Sequence, residues 1–250
     1  MYVVMSKKDN DEIRIYGENA CVAVFKKRPQ DIIQFFLTKE KLNKHVNITK
    51  YCAKHKKAYH FILRAELEQM TKSTHHEDLC MLVKKKPART LAQFLQEKKK
   101  SSILLALENV GNPHNIGAII RSAAHFGVDG LILTENKSQE TAAAIRTSEG
   151  GAEYVEVFEE KNFHKMLDLL LKNKYQIVTT SSHAKASLFE MKWEKNVVIV
   201  LGEESLGITK EIQGLGTNIK IPGTDYVESL NVSVATAVIL SDYYQKVKMK

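Results

Sequence analysis

The stretch ILLALENVGNPHNIGAIIRSAAHFG (residues 103–127) decides how the rest of the chain is read. It begins as an apolar run, turns at Gly111-Asn112-Pro113, and continues in a helical pattern that stops at Gly127. Ile116, Ile119, Ile120 and Ala123 fall on one stripe of a helical wheel, with Phe126 at its margin. A strand followed at once by an amphipathic helix is the repeating unit of parallel α/β sheets. The one charge on this helix, Arg121, lies nearly opposite the stripe, beside Gly117, Ala118, Ala124 and His125. Small neighbours around a long cation leave room for a ligand or a second chain, although a solvated arginine fits the same spacing. Two helix starts fit the turn: Asn112 as cap with Pro113 in the first turn, or Asn115 as cap of a shorter helix.

Outward from this stretch the alternation continues. Apolar runs at 103–108, 131–134, 176–180, 197–202 and 218–221 predict strands; residues 115–126, 163–173 and about 229–247 predict helices. This is an α/β pattern, a parallel sheet with helices on both faces. Upstream, NACVAVFKKR, DIIQFFLT, YHFIL and LCMLV alternate with charged segments, predicting a small α/β domain over residues 1–83. Two KKK tripeptides bracket PARTLAQFLQE, so residues 84–102 read as a linker and 103–250 as the second domain.

The net charge of +8 on 250 residues is unevenly placed. Residues 1–100 hold 22 Lys/Arg against 11 Asp/Glu, whereas residues 101–250 hold 15 against 18. A basic N-terminal part suits a polyanion, and nucleic acid is the usual one. Three scattered cysteines without a CxxC pair point to a reducing, cytoplasmic setting. No apolar run approaches the roughly 18 residues of a membrane span, and the start of the chain does not pattern as a secretory signal. Cys52-x-x-His55 and His75-His76 are isolated, so no metal site is expected. ENVGNPHNIG has two glycines six apart with Pro113 between them, which excludes a dinucleotide fingerprint; a P-loop is absent too.

Two further stretches stand out. VVIVLGEESLGIT (197–209) is a buried strand running into a turn, where Gly202 and Gly207 flank Glu203, Glu204 and Ser205. Carboxylates at such a strand end lie where open α/β sheets bind ligands, though turn or cap acids fit equally. In NIKIPGTDYVESLNVSVATAVIL (218–240), Pro222-Gly223 stop a strand, and no charge occurs from Ser229 to Ser241. A helix apolar all round is covered on both sides, by the sheet and by a partner, economically a second copy. Ser229, Asn231 and Ser233 at its start offer hydroxyl, amide and free backbone N–H groups.

Taken together, the three stretches resemble the SpoU (TrmH-like) family of RNA ribose 2′-O-methyltransferases in the SPOUT superfamily. The matching residues are Asn115-x-Gly117-x-x-x-Arg121, Leu201-Gly202-x-Glu204-x-x-Gly207, and Ile221-Pro222 with Glu228 through Ala235. IYGENACVAVF resembles the start of that family's L30e-like RNA-binding domain, and Thr74-His75-His76-Glu77 partly follows its pattern. The resemblance implies a C-terminal trefoil knot, S-adenosylmethionine as methyl donor, tRNA or rRNA as substrate, and a homodimer through the C-terminal helix with both chains at each site. It implies Asn115, Arg121, Glu204, Ser229 and Asn231 as the active-site set. Gly202, Ile221 and Leu230 match cofactor-binding positions, with Thr180 as a further neighbour. The chain departs from the family at Gly223-Thr224-Asp225, where Met-x-Gly is frequent, and at Glu203, where Asn is frequent. An inactive RNA-binding assembly factor and a base methyltransferase of the same fold are the alternatives.

Overall fold

The structure, a computed structural model, describes residues 11–97, 99–134, 142–203, 207–224 and 226–249. The chain divides into two compact units, Met1–Pro87 and Ala88–Lys250.

The first unit runs β1 (Glu12–Tyr16), α1 (Glu18–Lys27), β2 (Ile32–Leu37), α2 (Val46–Lys54), β3 (Ala58–Phe61), α3 (Arg64–Thr71) and β4 (Leu79–Lys84). Its sheet has the order β1-β4-β2-β3, with β4 antiparallel to both neighbours and β2 parallel to β3. Val24, Phe35, Leu37, Ile48, Leu67 and Met81 fill its core. The three cysteines are free and buried there, and burial pushes the Cys80 thiol up to about 12. Glu18, in the first turn of α1, receives Lys41 at 2.8 Å and also pairs with Lys44. Those two ammonium groups hold its carboxyl down to about 2. Its own N–H donates to the Glu77 carboxylate at 2.7 Å. His76 is buried, accepts the Asp78 N–H at 2.9 Å, and desolvation lowers its pKa.

The second unit contains α4 (Leu91–Leu95), β5 (Ser102–Glu108), α5 (Pro113–His125), β6 (Gly130–Thr134), α6 (Ala142–Thr147), β7 (Glu156–Glu160), α7 (Phe163–Lys172), β8 (Gln176–Thr180), β9 (Ala186–Ser187), β10 (Asn196–Gly202), α8 (Lys210–Gln213), β11 (Thr217–Lys220) and α9 (Val232–Tyr243). The sheet order is β7-β6-β5-β10-β8-β11-β9, parallel throughout. Successive side chains of a strand face opposite sides, and β5 is apolar on both. Ile103, Leu105 and Leu107 enter a core shared with α5 and α9, while Leu104 and Ala106 enter one shared with α4 and α7.

Several expectations change at this level. The segment 84–102 is not simply a connector: Thr90 caps α4 through Gln93, and Leu91 and Phe94 are buried against Leu104 and Ala106. Strand β7, EVFEE, was invisible to an apolar pattern because only Phe158 is buried in this charged edge strand. Helix α5 starts at Pro113, not Asn115, because the Asn112 side chain accepts the His114 N–H at 2.9 Å. Helix α9 starts at Val232 rather than 229, because the Asn231 side chain caps it, accepting the Ser233 N–H at 2.9 Å. Within one chain α9 is covered on one side only: Val232, Thr236, Ile239, Leu240 and Tyr243 are buried, while Val234 stays 49% exposed. No helix among the described residues is long and apolar enough to cross a membrane.

Candidate active site

Because β5, β10, β8 and β11 are parallel, their C-terminal ends share one edge of the sheet, where such folds bind ligands. Four segments leave that edge: 109–112, 203–209, 181–185 and 221–231. The first and last each deliver a helix whose N-terminus is capped by asparagine.

Those two N-termini meet. The Asn231 side-chain amide donates to the Asn115 side-chain oxygen at 3.2 Å, a bond spanning 116 residues of sequence. The Asn231 oxygen meanwhile accepts from the Ser233 N–H and, at 2.6 Å, from its hydroxyl. Two positive helix ends thus point at one place, together with two side-chain amides, an arrangement that favours anionic and hydroxyl-bearing ligands. Immediately before Asn231, Ser229 and Leu230 are exposed.

Arg121 is not part of this cluster within one chain. It stands six residues beyond Asn115 on α5, about 9 Å along the axis and about 120° around it. It is exposed, and among the described residues it has no hydrogen-bond or ion-pair partner. Its small neighbours are also not an open berth. A Cβ on Gly117 would lie 2.6 Å from the Thr147 Cβ and the Ala144 oxygen of α6. One on Gly151 would lie 3.3 Å from the Arg121 Cα. The glycines therefore let α6 and the 151–153 turn press against α5, leaving Arg121 to project past them.

The turn after β10 has its own constraints. A Cβ on Gly202 would fall 2.3 Å from the Gly207 backbone, so only glycine lets the chain at 202 and 207 come this close. Gly207 has φ +64° and donates its N–H to Glu203 at 2.8 Å. Glu204, expected in the active-site set, lies outside the described residues, as does Asp225. Sequence reasoning missed Glu108, which is buried at the end of β5. Its carbonyl accepts the Glu203 N–H at 3.1 Å and its carboxylate accepts the Thr209 N–H at 3.1 Å. It holds both ends of the loop that carries Glu204. The available signal was an acid closing an otherwise apolar strand.

The cofactor candidates line the same edge. Thr180 ends β8 and donates its hydroxyl to the Val200 carbonyl at 3.1 Å. Ile221 is half-buried against the core, and Leu230 is 43% exposed. The described residues of 222–230 belong to no helix or strand. Loop backbone N–H and C=O groups beside apolar side chains suit the hydrogen-bonding edge and flat faces of an adenine ring. His183 Nε2 lies 3.6 Å from the Glu228 carboxylate, tying the 181–185 loop to this segment.

Comparison with known proteins identifies the family. Residues 102–241, more than half of the chain, match the profile described as the SpoU rRNA methylase family. The chain belongs to that family. Residues 14–88 match the profile for RNA 2′-O ribose methyltransferase substrate binding. Among SpoU relatives, the Escherichia coli O157:H7 protein named uncharacterized tRNA/rRNA methyltransferase YfiF is 37% identical over 98% of this chain and 71% of its own length. The 23S rRNA (guanosine-2′-O-)-methyltransferase RlmB of Shewanella oneidensis is 29% identical over 90% of this chain and 94% of its own. A solved RNA 2′-O ribose methyltransferase superposes with a TM-score of 0.80 at 21% identity, covering 96% of this chain and 90% of that one. An AdoMet-bound rRNA methyltransferase from Sinorhizobium meliloti gives 0.79 at 16% identity, covering 95% and 88%. At such identities the likeness concerns the fold alone.

Proposed function

We propose that the protein transfers a methyl group from S-adenosylmethionine to a ribose 2′-hydroxyl of tRNA or rRNA. The observation that carries this is the Asn115–Asn231 hydrogen bond, which joins the first and third family motifs at the ligand-binding edge of the sheet.

The loop backbone on either side of residue 225, with Thr180, Gly202, Ile221 and Leu230, would hold the donor. When bound, S-adenosylmethionine supplies a methyl group on a positively charged sulfur, the leaving group of an in-line displacement. The chain's part is to position the ribose and manage charge. Asn115, Asn231 and the exposed Ser229 hydroxyl orient the ribose oxygens. A guanidinium stays protonated and is a poor base. Arg121 therefore grips the neighbouring phosphate and stabilises charge on the attacking oxygen, whose proton passes to a phosphate oxygen or water. Glu204 orients Arg121 or an asparagine amide.

A second copy completes the site. Asn115 and Arg121 point apart in one chain, and α9 leaves Val234 and the following Tyr244 exposed. A homodimer through α9 would cover these side chains and carry the partner's Arg121 to the asparagine pair. The family resemblance implies a trefoil knot, and the return of the chain from β11 to α9, which packs on α5, is compatible with one. The domain of residues 1–83 supplies RNA affinity, and the buried free cysteines suit the cytoplasm.

The test incubates the purified chain with total RNA and methyl-labelled donor, then digests to nucleosides for mass spectrometry. Ribose-methylated nucleosides are expected, reduced about a thousandfold by Arg121→Ala with RNA affinity retained. Base-methylated products, or near-normal turnover by that variant, would overturn the assignment.

A further inference from the structure

We propose that the outer face of α2 and the edge strand β3 form an RNA-binding surface. On it, unpaired bases stack on Tyr59 and Phe61 while phosphates run along Lys50, Lys54 and Lys56. The proposal rests on the methyltransferase reading only for its choice of polyanion.

Charge is the first ground. Residues 39–57 contain seven lysines and a single acid, Glu40. Three of these lysines are already engaged: Lys41 and Lys44 neutralise Glu18, and Lys57 donates to the Gln30 carbonyl at 2.7 Å. Lys50, Lys54 and Lys56 are exposed and, among the described residues, have no hydrogen-bond or ion-pair partner. Lys50 and Lys54 stand one helical turn apart, where like charges repel. A bound phosphate chain reverses the sign of that interaction.

Exposed aromatic rings are the second, independent ground. Strand β3 pairs with β2 alone, and all four of its residues are exposed. Tyr59 is 39% and Phe61 42% exposed, two residues apart on one side of the strand, with ring centroids 5.9 Å apart. Uncovered aromatics on an edge strand expose a protein to faulty pairing and mark a binding surface. On the opposite side His60 stacks on Phe36 at 5.1 Å, which fixes the strand in place.

Three residues separate α2 from β3, and the two elements pack together, so the cations and the rings share one surface. Lysines without balancing acids favour nucleic acid over an apolar protein partner. Two exposed rings set edge to face, with 85° between their planes, cannot reach bases stacked inside an A-form duplex, but their open faces can take bases splayed from a loop or bulge.

The experiment measures binding of the full chain to two labelled RNAs by fluorescence anisotropy: a hairpin with an unpaired loop, and a blunt duplex of equal length. Tyr59→Leu combined with Phe61→Leu should weaken hairpin binding at least tenfold while leaving duplex binding within about twofold. Tyr59→Phe should retain hairpin affinity, and circular dichroism checks that every variant is folded. Lys50→Gln with Lys54→Gln should weaken both probes and flatten the slope of log affinity against log salt by about 1.4 to 1.8. Wild-type binding that the leucine variant leaves unchanged would overturn this surface and leave the methyltransferase reading standing. A wild type that binds neither RNA would overturn both. Self-association lost in the leucine variant, with hairpin affinity intact, would assign the rings to a protein contact and overturn the proposal.

Discussion

Helices α2 and α9 are built alike on the inside and oppositely on the outside. Each buries an apolar stripe, Ile48 and Cys52 in one, Val232, Ile239 and Leu240 in the other. On α2 the outer face carries Lys50 and Lys54; on α9 it carries Val234, with Tyr244 just beyond. Solvated ammonium groups rest comfortably in water and draw in a polyanion. Exposed apolar area gains roughly 25 cal/mol per Å² when covered, so it draws in another apolar face. The two proposals rest on this contrast: RNA for the first helix and a second copy of the chain for the second.

The largest expected effect comes from reversing the character of α9. Val234→Glu would bury an unpaired charge in the dimer, a cost of about 3–5 kcal/mol. Sedimentation should show monomers, and methyl transfer should fall by about a hundredfold or more, with RNA affinity retained because α2 is untouched. A monomeric variant that remains fully active would break the comparison.

A sharper form of the test mixes two inactive chains. If the partner's Arg121 serves the asparagine pair, Arg121→Ala and Asn231→Ala homodimers should each be inactive. Their randomly exchanged mixture should recover about a quarter of wild-type activity, since half the dimers hold one intact site. No recovery would place both residues in a site made by one chain.

On the α2 side, the lysines that pair with Glu18 have a structural task, and its signature is pH dependence. Lys41 and Lys44 lower the Glu18 carboxyl from 4.5 to about 2, so the folded state favours the ionised form. The resulting stability is complete above the unfolded value near 4.5 and is lost as the pH falls towards 2. Glu18→Gln should therefore cost roughly 1–2 kcal/mol at pH 7, after solvent screening. In denaturant titrations the difference should close between those two pH values.

The smallest effect separates the two asparagine caps. Asn112→Ala and Asn231→Ala each remove one cap and should cost about 1 kcal/mol, or roughly 2–4 °C in Tm. Methyl transfer should collapse only in Asn231→Ala, because the Asn231 side chain also reaches Asn115. Equal activity losses would reduce Asn231 to a cap.

The legible parts of the fold were those where burial imposed a simple pattern. Strands β5, β6 and β10 are apolar runs because they lie inside a covered parallel sheet; β8 and β11 were legible from shorter apolar signals, β11 burying only Ile219. Strand β7 escaped because an edge strand buries only one residue of five. Helix α4 was visible as a short helical pattern, but its burial against β5 was not, because its apolar pair, Leu91 and Phe94, is set among polar residues. Glu108 was hidden inside the apolar run it terminates.

The sequence by itself determined the α/β alternation, the basic N-terminal part, the family resemblance and the separate identities of Asn115, Arg121 and Asn231. Each is a local matter of periodicity, charge or motif spacing. Tertiary structure alone decided that Asn231 meets Asn115 across 116 residues. It also decided that α9 leaves one apolar side bare. Such facts depend on how strands order in the sheet and where helices cross, and no pattern local in the chain encodes them.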